Sequence, residues 1–187
     1  MPNEFRLPIT NIGQDNWVEK VAQFLNSYAI EPVGISSESI RQREAALGVT
    51  LPTDIKEYYL HFGGTDSSDF MYGLQKINQI QVFSVTDDSF PCCSFEFHEL
   101  KDLVAFALSP ANDPLCFDKN SGEIFLLSHD PLIKAKVFHN FSQYLLHELI
   151  ELEKLEGNGI SEEEEKALTD EYLAGQGIDY PIRYMKL

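Results

Sequence analysis

The hydrophobic residues of the chain change their spacing at Gly63-Gly64, and this change constrains the fold more than any other feature. Before the two glycines, apolar residues recur every three or four positions, as they do on one face of a helix. The spacing predicts helices over residues 16–30, 37–47 and 52–62, with Gly48 and Gly63 placed to end the second and third. We expect the apolar residues of this region to lie in or near the core, among them Leu47, Leu51, Ile55, Tyr59 and Phe62.

After Gly64 the apolar residues come in short runs rich in β-branched side chains, which is typical of strands. We predict strands over residues 71–74, 77–85, 103–108, 115–117 and 123–127, although residues 97–107 also fit a helix by their spacing. The loop from Asp118 to Gly122 has the Asn and Gly that suit a hairpin. Residues 138–155 return to helical spacing. This order of elements predicts an α+β single domain, with an antiparallel sheet flanked by helices.

The tail of the chain has its own composition. Ser161 and Glu164 have the spacing of a capping box, and Glu162, Glu163, Glu164 and Glu165 stand where negative charge favours a helix N-terminus. We therefore expect a short helix to about Tyr172. The predicted organisation is an N-terminal helix within residues 1–34, a central domain over residues 35–156, and an acidic extension over residues 157–187 that belongs to the same structural unit.

The charge of the chain limits its partners. Thirty acidic residues against fourteen basic ones give a net charge of −16 and a pI near 4.5. Such a surface repels nucleic acid and anionic membranes and attracts basic proteins. The competing interpretation is that the charge serves only solubility.

The cysteines and the N-terminus predict the compartment. Cys92, Cys93 and Cys116 form neither a metal-binding nor a disulfide pattern, which suits a reducing environment. Residues 1–10 lack the basic and apolar regions of a signal peptide, and the longest apolar run, residues 103–108, is far shorter than a membrane span. We predict a cytoplasmic protein.

A motif in the second and third helices resembles a known family. Glu44, Gly48, Leu51-Pro52 and Asp54 fall in the register that is typical of the SUKH superfamily, with Ile55 where an aromatic residue is common. Residues 114–118 and 122–127 are similar to its central hairpin. Residues 141–145 are similar to its closing helix, although His139-Asn140 precede Phe141, so the usual Ser-Phe pair is absent. The resemblance covers residues 35–156.

The resemblance implies a cytosolic domain with a partly open antiparallel sheet and no catalytic residues. Many bacterial members resemble immunity proteins, which bind and neutralise a toxin. Eukaryotic relatives resemble regulators of cell-wall synthesis. The resemblance therefore implies a binding protein that needs no cofactor.

Three groups of residues could suggest chemistry, but each lacks the pattern that its chemistry needs. His147, Glu148 and Glu151 share a helix but have neither zinc-protease spacing nor an obvious further ligand. His129-Asp130 is an adjacent pair, which is poorly suited to a catalytic dyad. Cys92 and Cys93 lack the local signature of a nucleophile. We predict that the protein is not an enzyme and holds no metal.

The acidic residues are the candidate binding site. Ten acids against two lysines lie between Glu148 and Glu171, where the alternative is an ordinary solvated helix face. We expect a basic toxin domain to dock through acids of the tail and of loops beside the sheet, with exposed aromatic residues as anchors. The candidates are Asp66, Asp69, Phe70, Tyr72, Asp87, Asp88, Phe90, Glu162, Glu163, Glu164 and Glu165. A regulatory scaffold or small-ligand-binding domain of the same fold is the alternative.

Overall fold

The computed structural model describes residues 5–66, 70–71, 73–83, 95–156 and 160–173. Within them, three helices come first, then a sheet with one short helix before its second strand, and then two closing helices. The helices are α1 (Trp17–Ser27), α2 (Ser37–Leu47), α3 (Thr53–Phe62), α4 (Phe97–Leu100), α5 (Phe141–Glu156) and α6 (Glu162–Tyr172). The strands are β1 (Gln81–Val82), β2 (Leu103–Leu108), β3 (Pro114–Asp118), β4 (Ile124–His129) and β5 (Leu132–Phe138). The α+β class is confirmed.

The sheet is an antiparallel meander in which each strand pairs with the next one in sequence. The hairpin between β3 and β4 forms where the sequence predicts it. The carboxylate of Asp118 accepts hydrogen bonds from the backbone N–H groups of Asn120 (2.8 Å) and Ser121 (2.9 Å), and Gly122 takes a φ of 75°. These are the features of an Asx turn followed by a left-handed residue, which Gly adopts without strain.

The predicted strands before residue 84 are mostly wrong. Leu74 makes a single bridge to Ala107, and β1 has only two residues, because a 3₁₀ turn at Ile77–Gln79 interrupts the apolar run. The segment does run beside β2, since Gln75 N–H donates to the Phe106 carbonyl (2.9 Å) and Leu108 N–H donates to the Gly73 carbonyl (2.9 Å). Apolar character therefore predicted the burial of this segment but not its backbone path.

The strand β5 was not predicted from the sequence, and Phe138 was assigned to the following helix. Phe138 instead ends β5 opposite Ile124. The helix α5 begins three residues later, where the Asn140 side chain accepts a hydrogen bond from Gln143 N–H (3.0 Å). An Asn side chain that caps the first turn explains why the helix starts there.

The main core lies between the helices and one face of the sheet. Ile55, Tyr58, Tyr59 and Phe62 of α3 are all buried, as the helical stripe predicts, and Leu47 and Leu51 also pack in this layer. Tyr58 contacts Phe141 of α5 with ring centroids 5.2 Å apart, and Phe106 of β2 contacts Tyr144 at 5.4 Å. Rings from three elements thus interlock at the centre of the fold.

A second, smaller cluster lies on the opposite face of the sheet. It contains Ala105, Cys116 and Leu127, with Phe83, Leu100 and Leu103 packed beside them. Alternate residues of β2, β3 and β4 therefore enter different clusters, which is the period of two that a strand imposes. Among the described residues, no helix combines the length and the apolar character that crossing a bilayer requires.

Candidate functional site

The motif shared by α2 and α3 holds the helical layer together. The Glu44 carboxylate accepts a hydrogen bond from Leu51 N–H (2.8 Å) and lies 3.4 Å from the Lys56 ammonium. Gly48 ends α2 with a φ of 65°. Asp54 reaches across to α5, where its Oδ2 accepts a hydrogen bond from Ser142 N–H (3.2 Å). Each residue satisfies backbone groups at a helix end, so the motif serves the fold rather than chemistry.

An open cleft lies beside this layer. Its volume is about 530 Å³, within the range of small-molecule and side-chain pockets. It is formed by the C-terminal end of α3, the loop that follows it, and the segment that carries Leu74 to Asn78. The described lining residues are Ile35, Tyr58, Phe62, Gly63, Gly64, Thr65, Asp66, Phe70, Leu74, Gln75, Lys76, Ile77 and Asn78.

One wall of the cleft is fixed by backbone hydrogen bonds around glycines. Gly64 N–H donates to the Val33 carbonyl (2.8 Å), and Val33 N–H donates to Thr65 Oγ1 (3.0 Å). A Cβ on Gly34 would overlap the Leu60 carbonyl, so glycine is what lets the chain before α2 approach α3. These contacts hold the rim at Gly64 and Thr65 in place.

The opposite wall is fixed through Gln75. Its N–H donates to Phe106, and its carbonyl accepts a hydrogen bond of 2.6 Å from the buried hydroxyl of Tyr59. The side-chain Oε1 of Gln75 is buried and accepts no hydrogen bond from the described part of the chain. A buried acceptor without a donor is destabilising.

The predicted binding residues fall into different surroundings. Asp66 is exposed and lines the cleft. Phe70 was predicted as an exposed anchor, and this is wrong. Its side chain is 2% exposed, because it packs in the main core and forms part of the cleft wall. Asp69, Tyr72, Asp87, Asp88 and Phe90 lie outside the described residues.

The glutamates of the tail stand at the start of α6 and form a capping box as the sequence predicts. Ser161 N–H donates to Glu164 Oε2 (2.8 Å), and Glu164 N–H donates to Ser161 Oγ (3.2 Å). Glu165 is half-buried and pairs with Lys154 of α5 at 2.9 Å. Glu162 and Glu163 are exposed. Asp66 lines the cleft, whereas no residue of α6 is among the described residues that line it.

The acidic run that begins at Glu148 is therefore not a uniform surface. Burial and the nearby charge of Glu151 raise the pKa of Glu148 to about 8, so this group is mostly protonated at neutral pH. Glu153 accepts a hydrogen bond from the Tyr28 hydroxyl. His147 Nε2 lies 3.8 Å from Glu148, and the described residues contain no group of three ligands suited to a metal ion.

A charged pair that sequence reasoning missed lies at the end of β4. His129 Nδ1 is 2.5 Å from the carboxylate of the buried Asp113, and His129 N–H donates to the same oxygen (3.1 Å). The hydrogen bond to Asp113 and its charge raise the pKa of His129. The partners are 16 residues apart and meet only through the register of β3 and β4, so no local pattern predicts the pair.

The open meander, the closing helix α5 and the motif at Glu44 to Asp54 define a single-domain protein of the SUKH type. A family model of the SMI1 / KNR4 family (SUKH-1) matches residues 34–147, more than half of the chain. The chain belongs to this family, as its resemblance predicts. No curated protein and no solved structure matched the chain.

Proposed function

We propose that this protein is a non-enzymatic immunity protein of the cytoplasm, which binds a basic toxin domain and neutralises it by occlusion. Membership of the SMI1 / KNR4 family (SUKH-1) carries the proposal. All described lining residues of the cleft lie within the matched residues 34–147. The cleft is thus part of the family domain and not of the extensions on either side.

The net charge of −16 supports a basic partner. Exposed acids attract a basic domain over several ångströms and raise the rate of encounter, whereas a desolvated centre supplies most of the affinity. In this protein the exposed glutamates of α6 serve the encounter, and the cleft beside Asp66 serves as the centre. Occlusion follows when the docked protein covers the substrate-binding surface of the toxin.

The test is protection of cells. The chain is co-expressed in a sensitive host with the C-terminal domain of each candidate polymorphic toxin found among the neighbouring genes. We expect growth to be restored and a stoichiometric complex to be recovered by size-exclusion chromatography. Toxicity that persists with the protein present at excess, together with no complex, would refute the immunity function.

A regulatory, small-ligand-binding role is the second candidate, and the cleft volume of about 530 Å³ favours it. A ligand of this role binds in the absence of any toxin and raises the melting temperature by mass action. A screen of cytosolic metabolites by thermal shift separates the two roles. A metabolite that binds in the cleft with micromolar affinity would favour regulation, provided that co-expression gives no protection.

A further inference from the structure

The edge of the sheet at β5 has no neighbouring strand. β5 is the last strand in the order of the sheet, and among the described residues no backbone hydrogen bond reaches its outer side. The edge at β1 differs, because Arg43 of α2 donates a hydrogen bond to the Ile80 carbonyl just before that strand. After β5, His139 N–H donates to Gln143 Oε1 (2.9 Å). The open edge therefore lies before this bond, over residues 132–136.

The register of the sheet shows which backbone groups face this edge. Asp118 N–H donates to the Glu123 carbonyl (2.8 Å), so the backbone of Glu123 faces β3. Successive residues of a strand face opposite neighbours, so the backbone of Leu126, three positions later, faces β5. Leu126 lies opposite Ala135. The N–H and carbonyl groups of Ala135 therefore bind β4.

The backbone groups of Lys134 and Leu132 face the open edge, because each residue lies an odd number of positions from Ala135. Their side chains lie on the face of the sheet away from the main core, where Lys134 Nζ is 5.0 Å from the centre of the Phe125 ring. The Leu132 side chain is 51% exposed, and Lys134 is exposed as well. The edge thus combines unused backbone donors and acceptors with one apolar and one cationic side chain.

The charge of Lys134 has no acidic partner. Its ammonium donates to the neutral carbonyl of Glu99 (3.0 Å), and no carboxylate in the described part of the chain pairs with it. Lys136 differs, since its ammonium lies 2.9 Å from the Glu123 carboxylate. A carboxylate that is brought to Lys134 therefore gains a charged hydrogen bond without breaking an existing ion pair.

We infer that the open edge of β5 binds an extended segment of a partner protein, with an acidic side chain opposite Lys134 and an apolar one opposite Leu132. The segment adds to the sheet as a further antiparallel strand. Its backbone hydrogen bonds supply affinity, and the two side-chain pairs select the sequence. No residue of β5 is among the described residues that line the cleft, so this surface is separate from the cleft and its role does not depend on a toxin.

The same lysine disfavours a second copy of this chain as the occupant. When two copies of β5 pair about a twofold axis at Lys134, the two Lys134 side chains lie directly opposite each other, and like charges there are destabilising. Lysine on an edge strand is a common protection against self-association. The edge therefore discriminates against itself and in favour of an acidic strand.

The probe is a capped synthetic peptide, Thr-Thr-Val-Glu-Val-Leu-Thr, titrated into the full-length ¹⁵N-labelled protein and followed by NMR. We expect saturable binding, and the same peptide with lysine in place of its glutamate should bind about fivefold more weakly. Equal affinity of the two peptides, or no saturable shift up to millimolar peptide, would overturn the inference.

Methylated peptides test the backbone pairing. The amide of the central glutamate points at Lys134 in the bound strand, so its N-methylation should weaken binding at least tenfold. The amide of the next valine points away, and its N-methylation should change the affinity less than about twofold. Equal effects of the two methyl groups contradict the added strand.

Hydrogen exchange locates the site. The amides of Leu132 and Lys134 should exchange fast in the free protein and more slowly with the peptide bound. The amides of Ile133 and Ala135 face β4 and should be protected in both states. Protection that appears only outside β5 would place the peptide elsewhere and overturn the inference.

Charge exchange completes the test. Lys134→Glu should weaken the glutamate peptide about fivefold and make the lysine peptide the tighter ligand, a gain that a misfolded variant does not show. Lys20→Glu makes the same charge change at an exposed position of α1 and should leave the order of the two peptides unchanged. A Lys134→Glu protein that still prefers the glutamate peptide, or an equal reversal in Lys20→Glu, contradicts recognition by Lys134.

Discussion

Glu148 is a carboxyl group in the interface of α5 with α3. Burial raises the pKa of Tyr58 and of Tyr144, and the nearby charge of Glu148 adds to both increases. The pKa of Glu148 is about 8 in the folded protein, against an ordinary value of 4.5. Between these two pH values the carboxyl group is protonated in the folded state and ionised in the unfolded state. Its contribution to stability is complete below about pH 4.5 and is lost as the pH rises through 8.

Glu148→Gln should therefore remove most of this pH dependence. The uncharged amide resembles the protonated acid, so the free energy of unfolding should change little at pH 5. At pH 8.5 the variant should be more stable than wild type by roughly 3 kcal/mol. Urea unfolding at both pH values checks this. Glu163→Gln, at an exposed position of α6, is the control and should give parallel curves. A Glu148→Gln variant as stable as wild type at both pH values would contradict the raised pKa of Glu148.

Gly73 provides a second prediction, since it has a φ of 90° and a Cβ there would overlap the Leu108 carbonyl. Gly122 has a similar φ of 75° with nothing within 4 Å of a Cβ. Gly122→Ala should cost about 1 kcal/mol from backbone strain alone, whereas Gly73→Ala should cost about 3 kcal/mol because overlap is added. Chemical denaturation measures both. Equal losses of unfolding free energy in the two variants would mean that the backbone at Gly73 can move away from β2 with little loss of stability.

Sequence reasoning placed some site residues and could not place others. Asp66 is predicted as an acid on a loop beside the sheet, and the structure places it in the cleft lining. Gln75 was not named, because its role comes from contacts with Tyr59 and Phe106 that are distant in sequence. The prediction for Phe70 is wrong because an aromatic residue directly after a polar loop gives no sign of the core in which it packs.

At the scale of elements, α5 takes part of its N-terminal cap from another helix. Asp54 of α3 accepts from Ser142 N–H, whereas Ser36 caps α2 from the adjacent position by accepting from Ser39 N–H (3.1 Å). Both carry out the same local task, but only Asp54 also joins two helices. The sequence predicts the helices well because their apolar residues recur every three or four positions. It does not predict β5, because Lys134 and Lys136 alternate with the apolar residues of that strand and lower its apolar character.

Asp54→Ala should lower the free energy of unfolding by about 2 kcal/mol, because it leaves a first-turn N–H of α5 without its acceptor. Asp54→Asn should lose less, since its amide oxygen can still accept that bond. Ser36→Ala should cost about 1 kcal/mol. Hydrogen exchange separates the cases: Asp54→Ala should raise exchange in the first turn of α5, and Ser36→Ala only in α2. Unchanged exchange in α5 would contradict the cap.

At the scale of the whole molecule, charge governs the encounter with a basic partner. Screening extends over about 8 Å at physiological ionic strength, so the association rate with a basic toxin domain should fall steeply as salt rises. Replacing Glu162, Glu163, Glu164 and Glu165 by Lys should slow association if α6 guides the encounter. Replacing Asp66 and Asp69 by Lys should slow association if the partner docks on the loops beside the sheet. Stopped-flow kinetics at low and high salt measures both.

If both charge-reversed proteins associate with the toxin as fast as wild type at low salt, the negative charge serves only solubility. The dissociation rate is the internal control, because steering by exposed charges changes it little. Glu165 adds a second effect, since its loss also breaks the pair with Lys154. Glu162→Lys with Glu163→Lys, at two exposed positions, therefore gives the cleaner measure of steering.

The hydrogen bonds to Ser142 set an order of events during synthesis. Ser142 N–H donates a hydrogen bond to Asp54, and Ser142 Oγ accepts one from Ile12 N–H (3.1 Å). Two contacts of the helical layer therefore depend on a residue that is synthesised long after α1, α2 and α3. The meander from β2 to β5, in contrast, pairs only neighbouring strands and can form as each emerges from the ribosome. We therefore expect the part of the first three helices that packs on α5 to stay uncovered until α5 leaves the exit tunnel and closes the domain.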